Sequence, residues 1–194
     1  MFFNKNKKKN ISFLVSGRGS NFNAVAKAII SKKINANIGI VISNKTDANA
    51  INIAKKYNIK NKTIPSKNYQ NRIDHEKEII KHLKNSNTDI IILAGYMLLL
   101  SPYFINEFKD KIINIHPSLL PAFPGKDAQK QAIEYGVKIT GCTCHYVDEG
   151  MDTGKIIGQS FVIIKENDNL KTVSEKILKE EHKLLIKCVK ELCF

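Results

Sequence analysis

Four short apolar runs, Ile11 to Val15, Ile38 to Ile42, Asp89 to Ala94 and Ile112 to Ile115, alternate with stretches whose apolar residues recur at helical spacing. This alternation constrains the fold more than any other feature of the chain. A run with no polar interruption suits a strand buried on both faces, as a parallel strand is between two helical layers. Parallel strands also need long crossovers. The amphipathic segments supply them: Phe22, Val25, Ala26, Ile29 and Ile30; then Ala48 to Tyr57; then Ile73, Glu76, Ile79, Ile80 and Leu83; then a short helix around Phe104 to Phe108. Lys60 to Ile64 reads as a further short strand. The fold class expected is therefore α/β, an open, mostly parallel twisted sheet with helices on both faces.

The last third changes texture. Thr140 to Val147 and Lys155 to Ile164 read as two strands flanking Asp148 to Gly154, and Lys171 to Leu192 reads as one long amphipathic helix. No repeat or linker divides the chain. The organisation expected is a flexible basic prefix over 1–10 and a single domain over 11–194.

Lysine and arginine total 31 against 18 acidic residues, a net charge of +13. Such a charge raises nucleic acid or an anionic membrane as partner. Only Arg18 and Arg72 are arginine, however, and the abundance of Lys, Asn and Ile reads as compositional drift. No surface motif of interleaved aromatic and arginine residues supports an RNA-binding module. An apolar run of about 18 residues, as a membrane span needs, is missing, and the N-terminus lacks a signal-peptide pattern. The expectation is a cytoplasmic protein with no nucleic acid or membrane partner. Cys142, Cys144, Cys188 and Cys193 lack zinc-site spacing and read as reduced structural thiols.

In an open α/β sheet, ligands sit beyond the carboxyl ends of the strands. After the first strand stands Ser16-Gly17-Arg18-Gly19-Ser20-Asn21. Glycines let a backbone approach an anion, and the N–H groups at a helix start favour phosphate. Phe22 occupies the place of the third glycine in a dinucleotide fingerprint, and the ribose-binding acid expected about 20 residues on is missing. With no lysine in Walker-A register either, a monophosphate fits better than NAD or ATP. Taken alone, the loop reads equally as a tight turn with Asn21 as a helix cap.

Asn114-Ile115-His116-Pro117-Ser118 follows a buried strand, and alternation places Asn114 and His116 on one side of it. An amide donor beside an imidazole is a kit for acyl transfer, since one can bond an oxyanion and the other can move a proton. Asp148-Glu149-Gly150-Met151-Asp152-Thr153-Gly154 is either an ordinary turn or a loop that brings a carboxylate to His116, which would favour the imidazolium. The ligand spacing of a calcium-binding EF-hand is missing from it. His145 reads as structural.

In this order, Ser16 to Asn21, Asn114-Ile115-His116-Pro117-Ser118-Leu119-Leu120-Pro121 and His145 to Gly154 closely resemble the folate-dependent phosphoribosylglycinamide formyltransferase family, over nearly everything from Ile11 to about Leu185. The resemblance implies a Rossmann-like formyltransferase fold. It also implies transfer of a formyl group from 10-formyltetrahydrofolate, as co-substrate and without metal, to the amine of 5'-phosphoribosylglycinamide in purine synthesis. Asn114, His116 and Asp152 match the family's catalytic set, with Asp152 raising the His116 pKa. Gly19, Ser20, Asn21 and Glu181 match its phosphoribosylglycinamide site. The folate side matches Arg72, Met97, Leu98, Leu99, Leu100, Asn114, Asp148, Glu149, Gly150, Met151 and Asp152. Leu98 departs from the pattern, since many members carry arginine there. Two related enzymes share the catalytic set: methionyl-tRNA formyltransferase with an added C-terminal domain, and formyltetrahydrofolate deformylase with an added N-terminal one. The length of this chain favours the glycinamide enzyme, as a monomer or homodimer.

Overall fold

The computed structural model describes residues 8–194. Seven strands form one sheet in the order β3-β2-β1-β4-β5-β6-β7. They are β1 (Lys9–Val15), β2 (Ala36–Ser43), β3 (Asn61–Thr63), β4 (Ile90–Leu93), β5 (Ile112–His116), β6 (Ile139–Tyr146) and β7 (Ile156–Ile163). β1 to β5 run parallel, while β6 and β7 pair antiparallel to their neighbours. The helices are α1 (Ser20–Ile30), α2 (Asn49–Lys56), α3 (Arg72–Asn85), α4 (Pro102–Glu107), α5 (Ala128–Tyr135) and α6 (Leu170–Leu192), with a 3-10 turn at Ser66–Asn68. Among the described residues no helix is long and apolar enough to cross a membrane.

The apolar runs are buried on both sides, as their composition requires. From β1, Ile11, Phe13 and Val15 pack into one core with Phe22 and Val25 of α1, Ala50 and Ala54 of α2, and Ile177 and Leu185 of α6. Leu14 faces the other core, with Ile79 and Leu83 of α3, Phe104 of α4 and Ile91 of β4. Phe13 and Phe22 meet edge to face at 4.9 Å between ring centres, which ties β1 to α1 just before the Ser16–Gly19 turn. Local caps fix the helix starts: Asn71 accepts from Asp74 N–H, Ser101 from Phe104 N–H, and Asn169 with Thr172 forms a reciprocal box.

Two elements depart from the sequence expectation. α5 gives a weak signal because only its alanines, Ala128 and Ala132, are buried, and its ends are set by the left-handed residues Asp127 and Gly136. β1 begins at Lys9, so the sheet takes in the last two residues of the expected prefix; residues 1–7 lie outside the described residues. The four cysteines carry no disulfide. Burial pushes the Cys142 thiol up to about 12, which disfavours its reactive thiolate.

The connections from β1 move outward to β2 and β3, then return across β1 to β4 and β5. The order therefore reverses between β1 and β4. At such a switch point neighbouring loops part and leave a crevice at the carboxyl ends of the strands.

Candidate active site

At the end of β1, Ser16 Oγ donates to Asn44 Oδ1 at 2.6 Å and accepts from Met97 N–H at 2.9 Å, pinning three strand ends together. Gly19 then turns with φ +75°, and α1 starts at Ser20 with no side-chain cap and no acid in its first turn. Its first N–H groups therefore stay available to an anion. Asn21 does not cap the helix, as the sequence suggested; it lies inside the first turn, where its Nδ2 donates to Glu181 Oε2 of α6 at 2.8 Å. Its Oδ1 is buried with no partner among the described residues. Burial pushes the Glu181 carboxyl above the usual range, opposed by the Asn21 hydrogen bond and the charge of Arg18. Gly19, Ser20, Asn21 and Glu181 thus converge, although 160 positions separate the last two.

A side chain at position 19 has no room. A Cβ there would lie 2.6 Å from Ala50 Cβ and 2.8 Å from Ala50 Cα, on a backbone that L residues rarely adopt. We expect Gly19→Ala to cost about 1–3 kcal/mol of stability, the range for imposed backbone strain. Urea unfolding reads this directly, and an unchanged midpoint would show that the turn relaxes freely.

A second group gathers at the end of β5. Asn114 and His116 lie on the same face, and the antiparallel register sets His145 of β6 directly opposite Asn114. Residues opposite one another in a sheet share a face. His145, read as structural, is buried and bonded to Tyr146 O, and it stands against Asn114 and Asp152. The Asp148–Gly154 loop returns to this face because Gly154 packs against β6, where a Cβ would stand 1.8 Å from Tyr146 O. Asp152 is delivered with φ +57°.

Its carboxylate is the hub. Asp152 Oδ2 lies 3.3 Å from His116 Nδ1 and accepts from Gly125 N–H at 2.8 Å. Asp152 Oδ1 lies 3.5 Å from His145 Nε2 and 3.5 Å from Asn114 Nδ2. The hydrogen bond with His145, then Gly125 N–H and the charge of the His116 ring, hold the Asp152 carboxyl at about 2 against the opposing effect of burial. His145 Nδ1 donates to Tyr146 O at 2.8 Å, so its Nε2 either accepts from Asn114 at 3.3 Å or, protonated, donates to Asp152. On the other side of His116, Nε2 meets the carbonyl of Phe123 at 2.8 Å. Phe123 carries φ +55°, a conformation costly for a bulky residue.

The expected folate-side residues divide into separate groups. Met97, Leu98 and Leu99 are exposed on the loop after β4, at 68%, 37% and 65%, and Leu100 is half-buried. Arg72 opens α3 and bonds Glu76 through Nε at 3.2 Å. Asp148 accepts from Gly150 N–H and Thr153 Oγ1, so its carboxylate shapes its own loop, while Glu149 and Met151 are exposed. Sequence reasoning passed over Gly125 N–H and the Phe123 carbonyl, and read His145 as structural without its contacts. Only His145 had a detectable signal, its alternation with Thr143 on the strand face that Cys142 and Cys144 leave free. Among the described residues no group of three or more His, Cys, Asp or Glu side chains is arranged to hold a metal ion.

A family model described as formyl transferase matches residues 9–189. Phosphoribosylglycinamide formyltransferase of Bacillus subtilis is 42% identical, over 95% of this chain and 94% of its own length. The trifunctional purine biosynthetic protein adenosine-3 of Homo sapiens is 41% identical over 92% of this chain, which spans only 18% of that protein. Among solved structures, glycinamide ribonucleotide transformylase 1 of Geobacillus kaustophilus superposes with a TM-score of 0.94 at 39% identity, covering 97% of this chain and all of that one.

Proposed function

The chain belongs to the formyl transferase family, and on that premise we propose that it transfers the formyl group of 10-formyltetrahydrofolate to the amine of 5'-phosphoribosylglycinamide. The observation that carries this reading is the meeting of Asn114 and His116 on Asp152, each within 3.5 Å of its carboxylate, at the same end of the parallel sheet as the uncapped start of α1.

The chemistry follows from what each group can donate. The neutral amine attacks the formyl carbon, and the carbonyl electron pair moves to oxygen to give a tetrahedral oxyanion. His116 faces an acceptor at each ring nitrogen, Asp152 at Nδ1 and the Phe123 carbonyl at Nε2. A neutral ring has one N–H and can satisfy only one of them. A doubly protonated ring would satisfy both, and in that form it supplies a positive charge and a donor as the oxyanion forms. To use Nε2, substrate must take the place of the Phe123 carbonyl. Asn114 supplies further N–H donors; its present contacts at 3.3 and 3.5 Å are long and hold the amide without saturating it. Collapse then breaks the bond from carbon to N10 of the folate. N10 takes up a proton, and the amine nitrogen gives one up.

The phosphate is assigned to the N–H groups of Gly19, Ser20 and Asn21, and the ribose hydroxyls to Glu181. On the folate side, Arg72 faces the tail carboxylates, Met97 to Leu100 offer an apolar wall, and the Asp148–Asp152 backbone meets the pterin. Purified protein should consume 10-formyltetrahydrofolate only when phosphoribosylglycinamide is present, and chelator should not change the rate. Formate release without the glycinamide would replace this reading with hydrolysis. Arg72→Ala should raise the Michaelis constant for the folate by about tenfold, the value of one charge-assisted hydrogen bond, and leave that for the glycinamide unchanged. An unaltered folate constant would return Arg72 to the solvated surface.

A further inference from the structure

Glu76 stands in the apolar row of α3, between Ile73 and Ile79, and is 2% exposed. A carboxylate there is expensive unless every lone pair is engaged by donors. Three donors engage it. Oε1 accepts from Ser101 N–H at 2.8 Å and from Arg72 Nε at 3.2 Å, and Oε2 accepts from the Ser101 hydroxyl. Ser101 closes the loop that follows β4 and caps α4 through Phe104 N–H. The same loop is tied at its beginning, where Met97 N–H donates to Ser16 Oγ at 2.9 Å and Ser16 N–H donates to Gly95 O at 3.1 Å. Between these two ties the side chains of Met97, Leu98 and Leu99 stand exposed.

Capping α4 does not need a charge, because Ser101 alone performs it. The charge of Glu76 adds a hold on Arg72. That hold uses Nε, and among the described residues neither terminal nitrogen of Arg72 has a hydrogen bond, while its side chain is 47% exposed. The guanidinium is thereby oriented by its inner edge with its outer edge open. Such an edge suits a carboxylate. Tyr96, at the loop's beginning, lies close enough to feel both charges; burial and the Glu76 carboxylate push its hydroxyl up, and Arg72 opposes them.

We propose that Glu76 is a positioning residue for the folate: one buried carboxylate joins Arg72 to the loop ending at Ser101, so that the cation and the apolar wall are held in a single geometry before the folate arrives. This rests on the reading that Arg72 and Met97 to Leu100 face the folate. Pre-organisation of this kind removes the ordering cost from binding and leaves the chemical step untouched. The effect belongs in the Michaelis constant for the folate and not in kcat.

The test compares Glu76→Ala, Glu76→Gln, Arg72→Ala and the Glu76→Ala/Arg72→Ala double variant. Each is assayed with 10-formyltetrahydrofolate and with 10-formyltetrahydropteroate, which lacks the glutamate tail. Glu76→Gln can keep an oxygen towards Ser101 N–H and Arg72 while its amide donates to Ser101 Oγ, so it keeps the tie to the loop, reverses the Ser101 hydroxyl bond and removes the charge. The expected result for Glu76→Ala is a folate constant raised about tenfold, the scale of one charged hydrogen bond, with kcat and the glycinamide constant within about twofold. Glu76→Gln should recover part of that loss. The double variant should be no worse than the poorer single one, since both changes remove the same grip. With the tailless co-substrate, Glu76→Gln should match the wild type. If Arg72→Ala raises the folate constant and folded Glu76→Gln and Glu76→Ala do not, the positioning role is wrong while the folate reading stands. If Arg72→Ala itself leaves the folate constant unchanged, the folate reading and the proposal fall together. A fall in kcat with an equal rise in the glycinamide constant would assign Glu76 to general structure and overturn the proposal as well. Glu76→Ala exposes two buried donors of Ser101 and is the variant at risk of misfolding; in that event the comparison of Glu76→Gln on the two co-substrates decides.

Discussion

Replacing His116 with alanine should lower kcat by at least about a hundredfold, with both Michaelis constants within a few-fold of the wild type. The ring is 4% exposed and lies between the Asp152 carboxylate and the Phe123 carbonyl. No other described side chain both lies on that carboxylate at Oδ2 and faces the crevice beside Asn114. Alanine removes the donor and the positive charge that meet the developing oxyanion, an interaction that exists only in the transition state. Binding of the two substrates is assigned to other groups, the start of α1 and the α3 side, so the Michaelis constants should scarcely move. Loss of the ring also leaves a void and two acceptors without their donor, and some stability will be lost with it. His116→Gln retains bulk and a donor and separates the two effects. Near-normal turnover in both variants would remove His116 from the mechanism.

Asp152→Asn should be almost as damaging to kcat, again at least about a hundredfold, for a different reason. Asparagine tolerates positive φ and its oxygen can accept from Gly125 N–H, so the loop keeps its conformation. The amide offers no counter-charge to the imidazolium that the proposed mechanism uses, however, so the developing oxyanion loses part of its stabilisation. The carboxylate also leaves a signature in acid. Its pKa in the folded protein is about 2, held there by the His145 hydrogen bond, then Gly125 N–H and the charge of the His116 ring, against about 3.9 for an unfolded aspartate. A lowered carboxyl pKa contributes stability that is complete above the unfolded value and is lost as pH falls through the folded one. Wild type should therefore exceed Asp152→Asn in urea midpoint at about pH 6, and the gap should close between about pH 4 and pH 2. A gap that persists at the acid end would show that the amide disturbs the loop itself. Turnover retained in the asparagine variant would detach Asp152 from catalysis whatever the stability shows.

The alternation of Ile11 to Val15, Ile38 to Ile42, Asp89 to Ala94 and Ile112 to Ile115 with amphipathic segments, with the shorter run Lys60 to Ile64, was enough to recover five parallel strands and the helices that cross between them. Burial on two faces leaves an apolar run, and burial on one leaves a helical period; both marks are written along neighbouring residues. Asn114 and His116 were legible for the same reason, being two apart at the end of a strand. The weaker cases show where that logic stops. α5 buries only two alanines, so its period is faint. Asn21 looks like a cap from its place after a glycine turn, yet the helix starts two residues earlier than such a cap needs, and the side chain reaches α6 instead. Glu76 was visible as a carboxylate in an apolar row, but its partners lie on the first turn of its own helix and at a loop end 25 positions away.

By itself the sequence determined the layered α/β architecture, the crevice end of the sheet, and the residue types waiting there: a glycine turn, an amide and an imidazole on one strand, and an acidic loop. Only the tertiary structure decided which of these touch. The register of β5 against β6 put His145 opposite Asn114, packing of α1 on α6 brought Glu181 to Asn21, and the turn at Phe123 aimed a backbone carbonyl at His116. Periodicity is a property of neighbouring residues and survives in the linear text. Register, helix packing and carbonyl direction are settled by contacts between distant segments and by individual backbone torsions, which leave no periodic trace in the chain.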